Sequence, residues 1–304
     1  MKIYINKLNE SWIVDRLRKE WAFHNKSITT KRISQSDVIW IISPWTWKKI
    51  PRKHLQEKKV LCSVYHIDEE KFNEKDLQEF KDRDKYVSEY HVISKKTISQ
   101  IEKLTDKEIT YIPFWVNQDK WFEIEDKKTL RKKYKFNDDQ YLVGSFQRDS
   151  EGSNPDLPKL IKGPDQFMTI VKHLNKIKPN LSVVLTGKRR NYIINELKKE
   201  KINFSYFEMV DISKINELYN LLDLYIVSSR VEGGPQAIVE CGITKTPIIS
   251  TNVGIANEIL SKKSIFNMDN FQDAEPSVEF AYKKSKELTI PKGFQNFITL
   301  FESI

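Results

Sequence analysis

Residues 224–251 read LYIVSSRVEGGPQAIVECGITKTPIIST, and this stretch decides the fold of the chain. Two apolar runs of strand length, 224–228 and 247–250, enclose a glycine-containing loop and a segment of helical length, 235–242. The two adjacent glycines allow the backbone to turn tightly after the first strand. A strand, a helix and a second strand in this order form the repeating unit of a parallel sheet. The stretch therefore predicts an α/β fold.

The same alternation of short apolar runs and helical segments extends through both halves of the chain. Strands are predicted at residues 2–5, 38–43, 60–66, 90–93, 109–112, 141–146, 181–186, 204–207, 224–228 and 247–250. Helices are predicted at residues 10–23, 72–85, 97–104, 164–176, 192–199, 212–221 and 235–242, the last with Pro235 at its first helical position. Such alternation is typical of parallel sheets that helices cover on both faces. The predicted fold class is α/β, with two doubly wound, Rossmann-like domains.

The distribution of glycine and tryptophan divides the chain. All nine glycines lie at or after Gly144, whereas all seven tryptophans lie at or before Trp121. We interpret this as two domains with different functions, one N-terminal over residues 1–122 and one C-terminal over residues 123–270. Residues 271–304 contain two further helical patterns.

The composition indicates folded domains. The chain has 304 residues, of which 39% are hydrophobic, 12% aromatic and 31% charged, and a disordered chain would lack the aromatic residues. The longest apolar runs, such as residues 37–43, are far shorter than the roughly 18 residues that a membrane-spanning helix needs. Because the N-terminus opens on a strand-like pattern without an apolar signal region, we expect a cytoplasmic protein.

The chain is basic, with a net charge of +9 and a pI of about 9.2. A basic surface suits nucleic acid, anionic lipid or phosphate-bearing substrates. Here the lysines and arginines are spread among aspartates and glutamates, which is typical of a solvated surface, so we expect no nucleic-acid partner. A non-enzymatic nucleic-acid-binding protein stays open as an alternative, and it would bind with a steep salt dependence.

The chain has two cysteines, Cys62 and Cys241, each within an apolar run. A disulfide framework or a metal site needs more cysteines, or histidines near them. We interpret both as buried thiols, and no pattern of metal ligands is found in the sequence.

The loop and helix start at residues 232–236 have the features of a phosphate site. A helix N-terminus offers free backbone N–H groups and a partial positive charge to an anion. Glu232 lies just before this point, and Glu240 lies just over one turn inside the helix. An acidic residue beside a phosphate is electrostatically unfavourable, but it can bind the hydroxyl groups of a sugar. From the residues alone, a strand-to-helix turn with a capping glutamate is an equally good interpretation.

The spacing of Glu232 and Glu240, with Gly-Gly-Pro between them, resembles the signature of the retaining glycosyltransferases of family 4 (group 1), which have the GT-B fold. Residues 246–258 resemble the strand and glycine-containing loop that follow in this family. The glutamate spacing alone would be a weak match, but further segments match in the same order.

Two of these segments lie upstream. Residues 111–122 resemble the interdomain linker of the family, in which Asn-Gly-Val-Asp commonly follows Ile-Pro. Residues 143–148, followed by Lys162 and Gly163, resemble the Gly-Arg and Lys-Gly pair that binds the donor diphosphate. The resemblance implies GT-B architecture, with two doubly wound domains facing a cleft and residues 271–304 returning toward the N-terminal domain.

The resemblance also implies roles for individual residues. Arg148 and Lys162 would hold the donor diphosphate and stabilise the leaving group, although either could be an ordinary basic surface residue. Glu232 would contact the donor sugar. The remaining implied contacts to the nucleotide sugar are Gly233, Gly234, Pro235 and Gln236 at the phosphate or sugar, Glu240 at the ribose hydroxyls, and Val210, with Met209, in the base-facing loop.

His66 ends an apolar strand of the N-terminal part and precedes Asp68 by two residues. In the family a histidine at this point faces the donor sugar across the cleft, so the resemblance implies a catalytic role for His66. The alternative is a histidine that only caps the turn at the end of the strand. For Asp68 a functional role and a purely structural role are equally good interpretations.

The implied reaction is the transfer of a sugar from a nucleoside diphosphate sugar, with UDP or GDP as the nucleotide, to an acceptor hydroxyl with retention of configuration. The family does this without a bound metal or cofactor, usually on a glycan or glycolipid in surface polysaccharide or glycolipid synthesis. A GT-B sugar phosphorylase or epimerase is the alternative enzyme. The sequence departs from the family at residues 6–11, where a glycine-rich loop is common and no glycine occurs.

A segment that mixes tryptophan with basic residues, 43–53, has three interpretations. Its aromatic rings could pack on the core, stack on an acceptor sugar or contact a membrane interface. Peripheral contact with the inner face of a membrane is therefore an open alternative to a purely cytoplasmic location.

Overall fold

The computed structural model describes residues 1–7, 13–152 and 154–304. The chain divides into two compact units, Met1–Phe114 with Pro291–Ile304, and Trp115–Ile290. The strands are β1 (Ile3–Ile5), β2 (Thr29–Thr30), β3 (Val38–Ile41), β4 (Lys59–Val64), β5 (Glu89–Val92), β6 (Ile109–Tyr111), β7 (Tyr141–Ser145), β8 (Leu181–Thr186), β9 (Asn203–Phe207), β10 (Leu224–Val227), β11 (Ile248–Thr251) and β12 (Ile265–Phe266). The helices are α1 (Ile13–His24), α2 (Arg52–Glu57), α3 (Glu74–Asp84), α4 (Lys95–Ile101), α5 (Lys127–Lys133), α6 (Pro164–Ile177), α7 (Asn191–Lys199), α8 (Ile212–Leu221), α9 (Gln236–Ile243), α10 (Ala256–Ile259), α11 (Val278–Lys286) and α12 (Lys292–Ser303).

Each unit is built on one six-stranded parallel sheet. The strand order is β2-β1-β3-β4-β5-β6 in the first unit and β12-β11-β10-β7-β8-β9 in the second. The predicted α/β class with two doubly wound sheets is thereby confirmed. In both sheets the first strands are added toward one edge. The chain then returns to the first strand and adds the remaining strands toward the other edge. Loops at the carboxyl ends of adjacent strands meet at such a reversal, where ligands bind in this class of fold.

The first unit is held together by an aromatic cluster on one face of its sheet. The ring of Trp21 on α1 packs edge-on against Trp40 on β3, with 5.5 Å between ring centroids. The C-terminal helix α12 adds Phe294 and Phe297, whose centroids lie 5.4 Å from Trp21 and 5.3 Å from Trp40. Edge-to-face pairs at these separations, such as those of Trp21 with Trp40 and Phe294, are favourable beyond the area they bury. The last helix of the chain is therefore part of the core of this unit.

His91 on β5 lies in the same core and is fully buried. Its Nε2 donates to the carbonyl oxygen of Ile112 at 2.7 Å, so its Nδ1 accepts from the hydroxyl of Ser63, also at 2.7 Å. Burial lowers the pKa of His91 from 6.5 to about 4. The histidine is therefore neutral in the folded protein over the whole physiological range.

We predict that His91 makes the folded state less stable in mild acid. Between pH 6.5 and about 4 the unfolded chain binds a proton at this histidine that the folded chain does not, so stability falls as pH falls through this window. The loss at pH 5 relative to pH 7 is about 2 kcal/mol from this group alone. Urea unfolding at both pH values, in the wild type and in His91→Gln, measures it. Equal pH dependence in the two proteins would contradict the assignment.

Several elements differ from the sequence-based expectation. The edge strands β2 and β12 have two residues each, which is too short to give a periodic pattern. Helix α5 was not expected because its sequence, KKTLRKK, has no apolar stripe. Of the helix predicted at 10–23, only the part from Ile13 onward lies in the described residues, and most of the glycine-free loop at 6–11 lies outside them.

The predicted position of Pro235 in α9 was wrong by one residue. Pro235 has φ −58° and ψ 113°, and the helix begins at Gln236. The extended ψ value places Pro235 before the helix, where its fixed φ sets the entry angle of the chain. The carbonyl oxygen of Pro235 accepts the first helical hydrogen bond, from the amide of Ile238 at 3.0 Å.

Both cysteines are buried and free, as predicted. Burial raises the pKa of the Cys62 thiol to about 11, and it raises that of Cys241 as well. Thiols in this state are poor nucleophiles. No helix in the part of the chain that the structure describes has the length and apolarity to cross a membrane.

Candidate active site

The candidate site lies in the second unit, where the loops after β7 and β10 meet. These two strands are neighbours, with Leu224 opposite Val143 in register. The loop after β7 runs from Phe146 to Gly163, and the loop after β10 runs from Ser228 to Pro235. The predicted residues Arg148, Lys162, Glu232, Gly233 and Gly234 all lie on these two loops.

Gly163 brings the two loops into backbone contact. It has the left-handed conformation, with φ 62° and ψ 40°, between a short 3-10 turn at Leu160–Lys162 and helix α6. A Cβ atom at this position would lie 1.7 Å from the carbonyl oxygen of Ser228. Only glycine fits, both because of the conformation and because of the space.

Two hydrogen bonds fix this contact. The hydroxyl of Ser228 donates to the carbonyl oxygen of Gly163 at 2.8 Å, and Nε2 of Gln166 donates to the carbonyl oxygen of Ser228 at 2.9 Å. The amide of Arg230 also donates to the carbonyl oxygen of Ile161 at 2.9 Å. The backbone around Lys162 is therefore set directly against the start of the loop that carries Glu232.

Lys162 and Glu232 form an ion pair through Nζ and Oε1. The side chain of Lys162 is 26% exposed and that of Glu232 is 15% exposed, so the pair is partly shielded but reachable from solvent. The hydroxyl of Ser229 lies 3.2 Å from the same glutamate oxygen and 3.1 Å from Oε1 of Gln147. Two residues predicted separately to bind the donor are thus brought into direct contact.

The glycine loop at Gly233 and Gly234 is covered by the loop after β11. Gly254 has φ 51°, and a Cβ atom there would lie 2.5 Å from the carbonyl oxygen of Gly233. The hydroxyl of Thr251 donates to the carbonyl oxygen of Ser229 at 2.6 Å. The close backbone approach at Gly254 therefore fixes the path of the chain into α9.

The N-terminus of α9 presents unused hydrogen-bonding groups. Oε1 of Gln236 is buried and has no hydrogen-bond partner among the described residues. The first backbone N–H groups of a helix have no partner within the helix and carry the positive end of its dipole. Because Gln236 follows the Gly233-Gly234-Pro235 turn directly, these groups lie at the same carboxyl edge of the sheet as the Lys162–Glu232 pair.

Comparison with known proteins identifies the family. Residues 126–288, more than half of the chain, match the sequence profile of the family described as glycosyl transferases, group 1. The chain belongs to this family. No curated protein sequence matches the chain.

The solved structures that resemble this group 1 protein show its fold. The Anabaena protein HepE in complex with UDP has a TM-score of 0.78 at 12% identity, with 100% of both chains covered. Sucrose-phosphate synthase from Thermosynechococcus elongatus has a TM-score of 0.71 at 12% identity, covering 98% of this chain and 82% of that one. A glycosyltransferase from Rickettsia africae has a TM-score of 0.66 at 16% identity, covering 98% and 83%. The GT-B fold is thereby confirmed for this member of the group 1 family.

Glu240 lies deeper in this group 1 site than its implied role suggests. It is 6% exposed on the second turn of α9, and its Oε2 accepts a hydrogen bond from the hydroxyl of Tyr219 at 3.0 Å. Burial and the nearby glutamate raise the pKa of Tyr219 well above its usual value. The tyrosine therefore stays protonated and can keep donating to Glu240.

The remaining predicted residues are Val210 with Met209, Arg148, His66 and Asp68. Val210 is half-buried beyond the end of the edge strand β9, two strands from β7 in the sheet, and Met209 beside it is 66% exposed. Arg148 is exposed on the loop after β7. His66, which follows β4 and is exposed, and Asp68, whose Oδ2 lies 3.8 Å from Nζ of Lys71, belong to the first unit.

Sequence reasoning missed several residues that shape the site. Arg230 pairs with both carboxylate oxygens of Asp165, at 2.8 and 2.6 Å, and so fastens the loop after β10 to the start of α6. This guanidinium lowers the pKa of Asp165 through hydrogen bonding and charge. Gln147 donates to the carbonyl oxygen of Lys162 at 2.8 Å. The only signal in the sequence for Arg230 and Gln147 was that they follow two strands, β10 and β7, which are neighbours in the sheet.

Throughout residues 1–7, 13–152 and 154–304, no group of three or more His, Cys, Asp or Glu side chains is arranged to hold a metal ion.

Proposed function

We propose that the chain is a retaining glycosyltransferase of family 4 that moves a sugar from a nucleoside diphosphate sugar to an acceptor hydroxyl, without a bound metal. The observation that carries this proposal is the Lys162–Glu232 ion pair, set beside the N-terminus of α9 in a member of the group 1 family. A cation, a helix N-terminus and a carboxylate at one sheet edge supply groups for a diphosphate and for sugar hydroxyls.

In this proposal Lys162 and Arg148 bind the diphosphate of the donor. Nζ of Lys162 is paired with Oε1 of Glu232. A diphosphate carries more negative charge than one carboxylate, so it would take over Lys162 and release Glu232. The released carboxylate would then accept hydrogen bonds from the sugar. The ion pair thus places both side chains where the donor would need them.

The chemical step separates charge at the bond to the leaving group. The bond between the sugar C1 and the diphosphate oxygen breaks, and the bond from C1 to the acceptor oxygen forms on the same face. The acceptor proton passes to the leaving diphosphate. Lys162, Arg148 and the N-terminus of α9 stabilise the negative charge that develops on that diphosphate. This front-face route does not require a second carboxylate nucleophile.

The other assignments stay predictions. Gly233, Gly234, Pro235 and Gln236 are proposed to contact the phosphate or sugar, and Glu240 the ribose. Val210 is proposed to face the base. We propose a catalytic role for His66. The resemblance to the family and the position after β4 support this role, and they are also the support for any role of Asp68.

The relatives favour UDP as the first nucleotide to test. HepE of Anabaena was solved with UDP-glucose and with UDP and glucose, and TarM of S. aureus with UDP and alpha-GlcNAc-glycerol. WaaG is a glycosyltransferase involved in lipopolysaccharide biosynthesis. These relatives support a UDP-sugar donor and a glycan or glycolipid acceptor, and a role in surface polysaccharide or glycolipid synthesis.

The cytoplasmic location and peripheral membrane contact also stay predictions. In the tryptophan-rich segment Trp47 is 6% exposed and packs in the core of the first unit, whereas Trp45 is 45% exposed. Core packing therefore accounts for Trp47. Stacking on an acceptor sugar or contact with a membrane interface stays open for Trp45.

Donor binding can be tested by thermal unfolding. We predict that one of UDP, GDP, ADP, CDP or their sugars raises the melting temperature without added metal. A ligand at 100 times its dissociation constant adds about 2.7 kcal/mol of stability, which gives a clear shift. Because Lys162 is needed for the diphosphate, Lys162→Ala should reduce the shift. A folded protein that responds to no nucleotide would contradict the proposed function.

A further inference from the structure

Arg190 is a fully buried arginine that the proposed chemistry does not use. It lies just before α7 and is 0% exposed. Its Nε donates to Oδ2 of Asp149, which is itself 1% exposed. A guanidinium removed from water must be paired and hydrogen-bonded to be tolerated, so the surroundings of Arg190 are built around it.

The same guanidinium joins the ends of two central strands. Its Nη1 donates to the carbonyl oxygen of Ser145, the last residue of β7, and at 2.9 Å to that of Thr186, the last residue of β8. Nη2 is buried and has no hydrogen-bond partner in the described residues. Arg190 thus contacts the carboxyl edge of the sheet at the point where the loop with Arg148 begins.

Asp149 carries this contact into the loop. The amides of Asp149 and Ser150 both donate to the carbonyl oxygen of Arg189, at 3.1 and 3.2 Å. The hydroxyl of Ser150 donates to Oδ1 of Asp149 at 2.8 Å and accepts from the amide of Tyr192 at 3.0 Å. The chain segment directly after Arg148 is therefore fastened to the first turn of α7.

The far end of the loop is attached to the same aspartate. The amide of Lys159 donates to the carbonyl oxygen of Asp149 at 2.7 Å. Lys159 immediately precedes the 3-10 turn at Leu160–Lys162. The buried Arg190–Asp149 pair therefore includes the residue directly after Arg148, and it is hydrogen-bonded to the residue before the turn that presents Lys162.

A buried ion pair contributes little net stability compared with apolar residues of the same volume, and in some proteins its role is to specify one conformation. We infer that Arg190 is a positioning residue that acts through Asp149 to hold Arg148 and Lys162 in place for the donor diphosphate. This inference rests on the proposed function. It predicts that Arg190 controls nucleotide affinity although it does not contact the nucleotide.

The test compares Arg190→Lys with Arg131→Lys. Arg131 is a second buried arginine of the same unit, 6% exposed, and it is paired with Asp223 at the opposite end of the strands. Lysine keeps the charge but lacks the planar guanidinium, whose separate nitrogens Nε and Nη1 reach the carboxylate and the two carbonyl oxygens. Any general effect of weakening a buried arginine–aspartate pair is therefore shared by both variants.

Two measurements are made on the folded variants, hydrogen exchange of the amides at residues 149, 150 and 159, and binding of the nucleoside diphosphate to which the wild type responds. We expect Arg190→Lys to lose protection at these amides and to bind at least about 10-fold more weakly, a loss of about 1.4 kcal/mol. Arg131→Lys should keep both properties. Unchanged protection in Arg190→Lys, or lost protection with unchanged affinity, would overturn the inference.

If Arg190→Lys does not fold, Asp149→Asn takes its place, because it keeps the size of the side chain and removes only its charge. Failure of the proposed function can be distinguished from failure of the inference about Arg190. In that case the wild type binds no nucleotide, and protection at residues 149, 150 and 159 in the variants still shows whether Arg190 holds the loop.

Discussion

Replacing Lys162 by alanine is expected to reduce turnover by about 10²–10³-fold while the protein stays folded. In the proposed function the lysine ammonium stabilises the charge that develops on the departing diphosphate. Its charge acts more strongly there than in bulk water because the pair with Glu232 is partly shielded from solvent. Loss of such a group removes stabilisation of the transition state more than of the bound substrate, so kcat should fall more than KM rises.

Lys133→Ala is the matched control for this variant. Lys133 also lies in the second unit and also pairs with a glutamate, Glu217, at 2.7 Å. It is on α5 and belongs to neither of the loops after β7 and β10. We expect its removal to leave turnover within twofold of the wild type. Near-normal turnover in Lys162→Ala, or an equal loss in Lys133→Ala, would contradict the role of Lys162.

Replacing Gly163 by alanine is expected to damage both the site and the stability of the second unit. The left-handed conformation alone costs an alanine about 1–2 kcal/mol. The added methyl group would also overlap the carbonyl oxygen of Ser228, at 1.7 Å, which is part of the backbone and cannot rotate away. The loop must therefore shift, and with it Lys162 on the preceding residue.

Gly187→Ala separates the cost of the left-handed conformation from the cost of the overlap with a neighbouring atom. Gly187 also has a positive φ, 89°, but a Cβ atom there would be 3.7 Å from its nearest neighbour, the carbonyl oxygen of Phe146. This variant therefore carries conformational strain without overlap. We expect urea unfolding to show a larger loss of stability for Gly163→Ala, by about 1–3 kcal/mol, and nucleotide binding to fail in that variant alone. Equal losses in the two variants would show that the contact with Ser228 is not tight.

The central strands of both sheets could be predicted because they are buried on both faces and form continuous apolar runs. Residues 181–186, for example, were predicted as a strand with the bounds that the structure shows for β8. The edge strand β12 has only two residues and no pattern. Helix α5 begins where Oδ1 of Asp126 accepts from the amide of Thr129 at 2.9 Å, and it is held by Arg131 and Asp223. Those contacts depend on tertiary structure and leave no periodic signal.

The members of the candidate site were named from the sequence and their roles stay predictions, whereas their arrangement could not be foreseen. Lys162 and Glu232 are 70 residues apart, and their pairing follows from the neighbouring positions of β7 and β10 in the sheet. In the sequence Arg190 is the last of three consecutive basic residues, which indicates a solvated surface rather than a buried side chain. Its burial is imposed by the strand ends and by Asp149. The domain limits at residues 122 and 270 stay predictions.

The central claim is that the chain cleaves a nucleoside diphosphate sugar through the groups around Lys162. The most direct measurement is release of nucleoside diphosphate from a panel of UDP-, GDP-, ADP- and CDP-sugars, in the presence of a metal chelator. The wild type, Lys162→Ala and Lys133→Ala are compared with and without a mixture of glycan and glycolipid acceptors. We predict release from one nucleotide class in the wild type and in Lys133→Ala, and a loss of about 10²–10³-fold in Lys162→Ala. Release that is absent from every donor, or equal in all three proteins, would contradict the account.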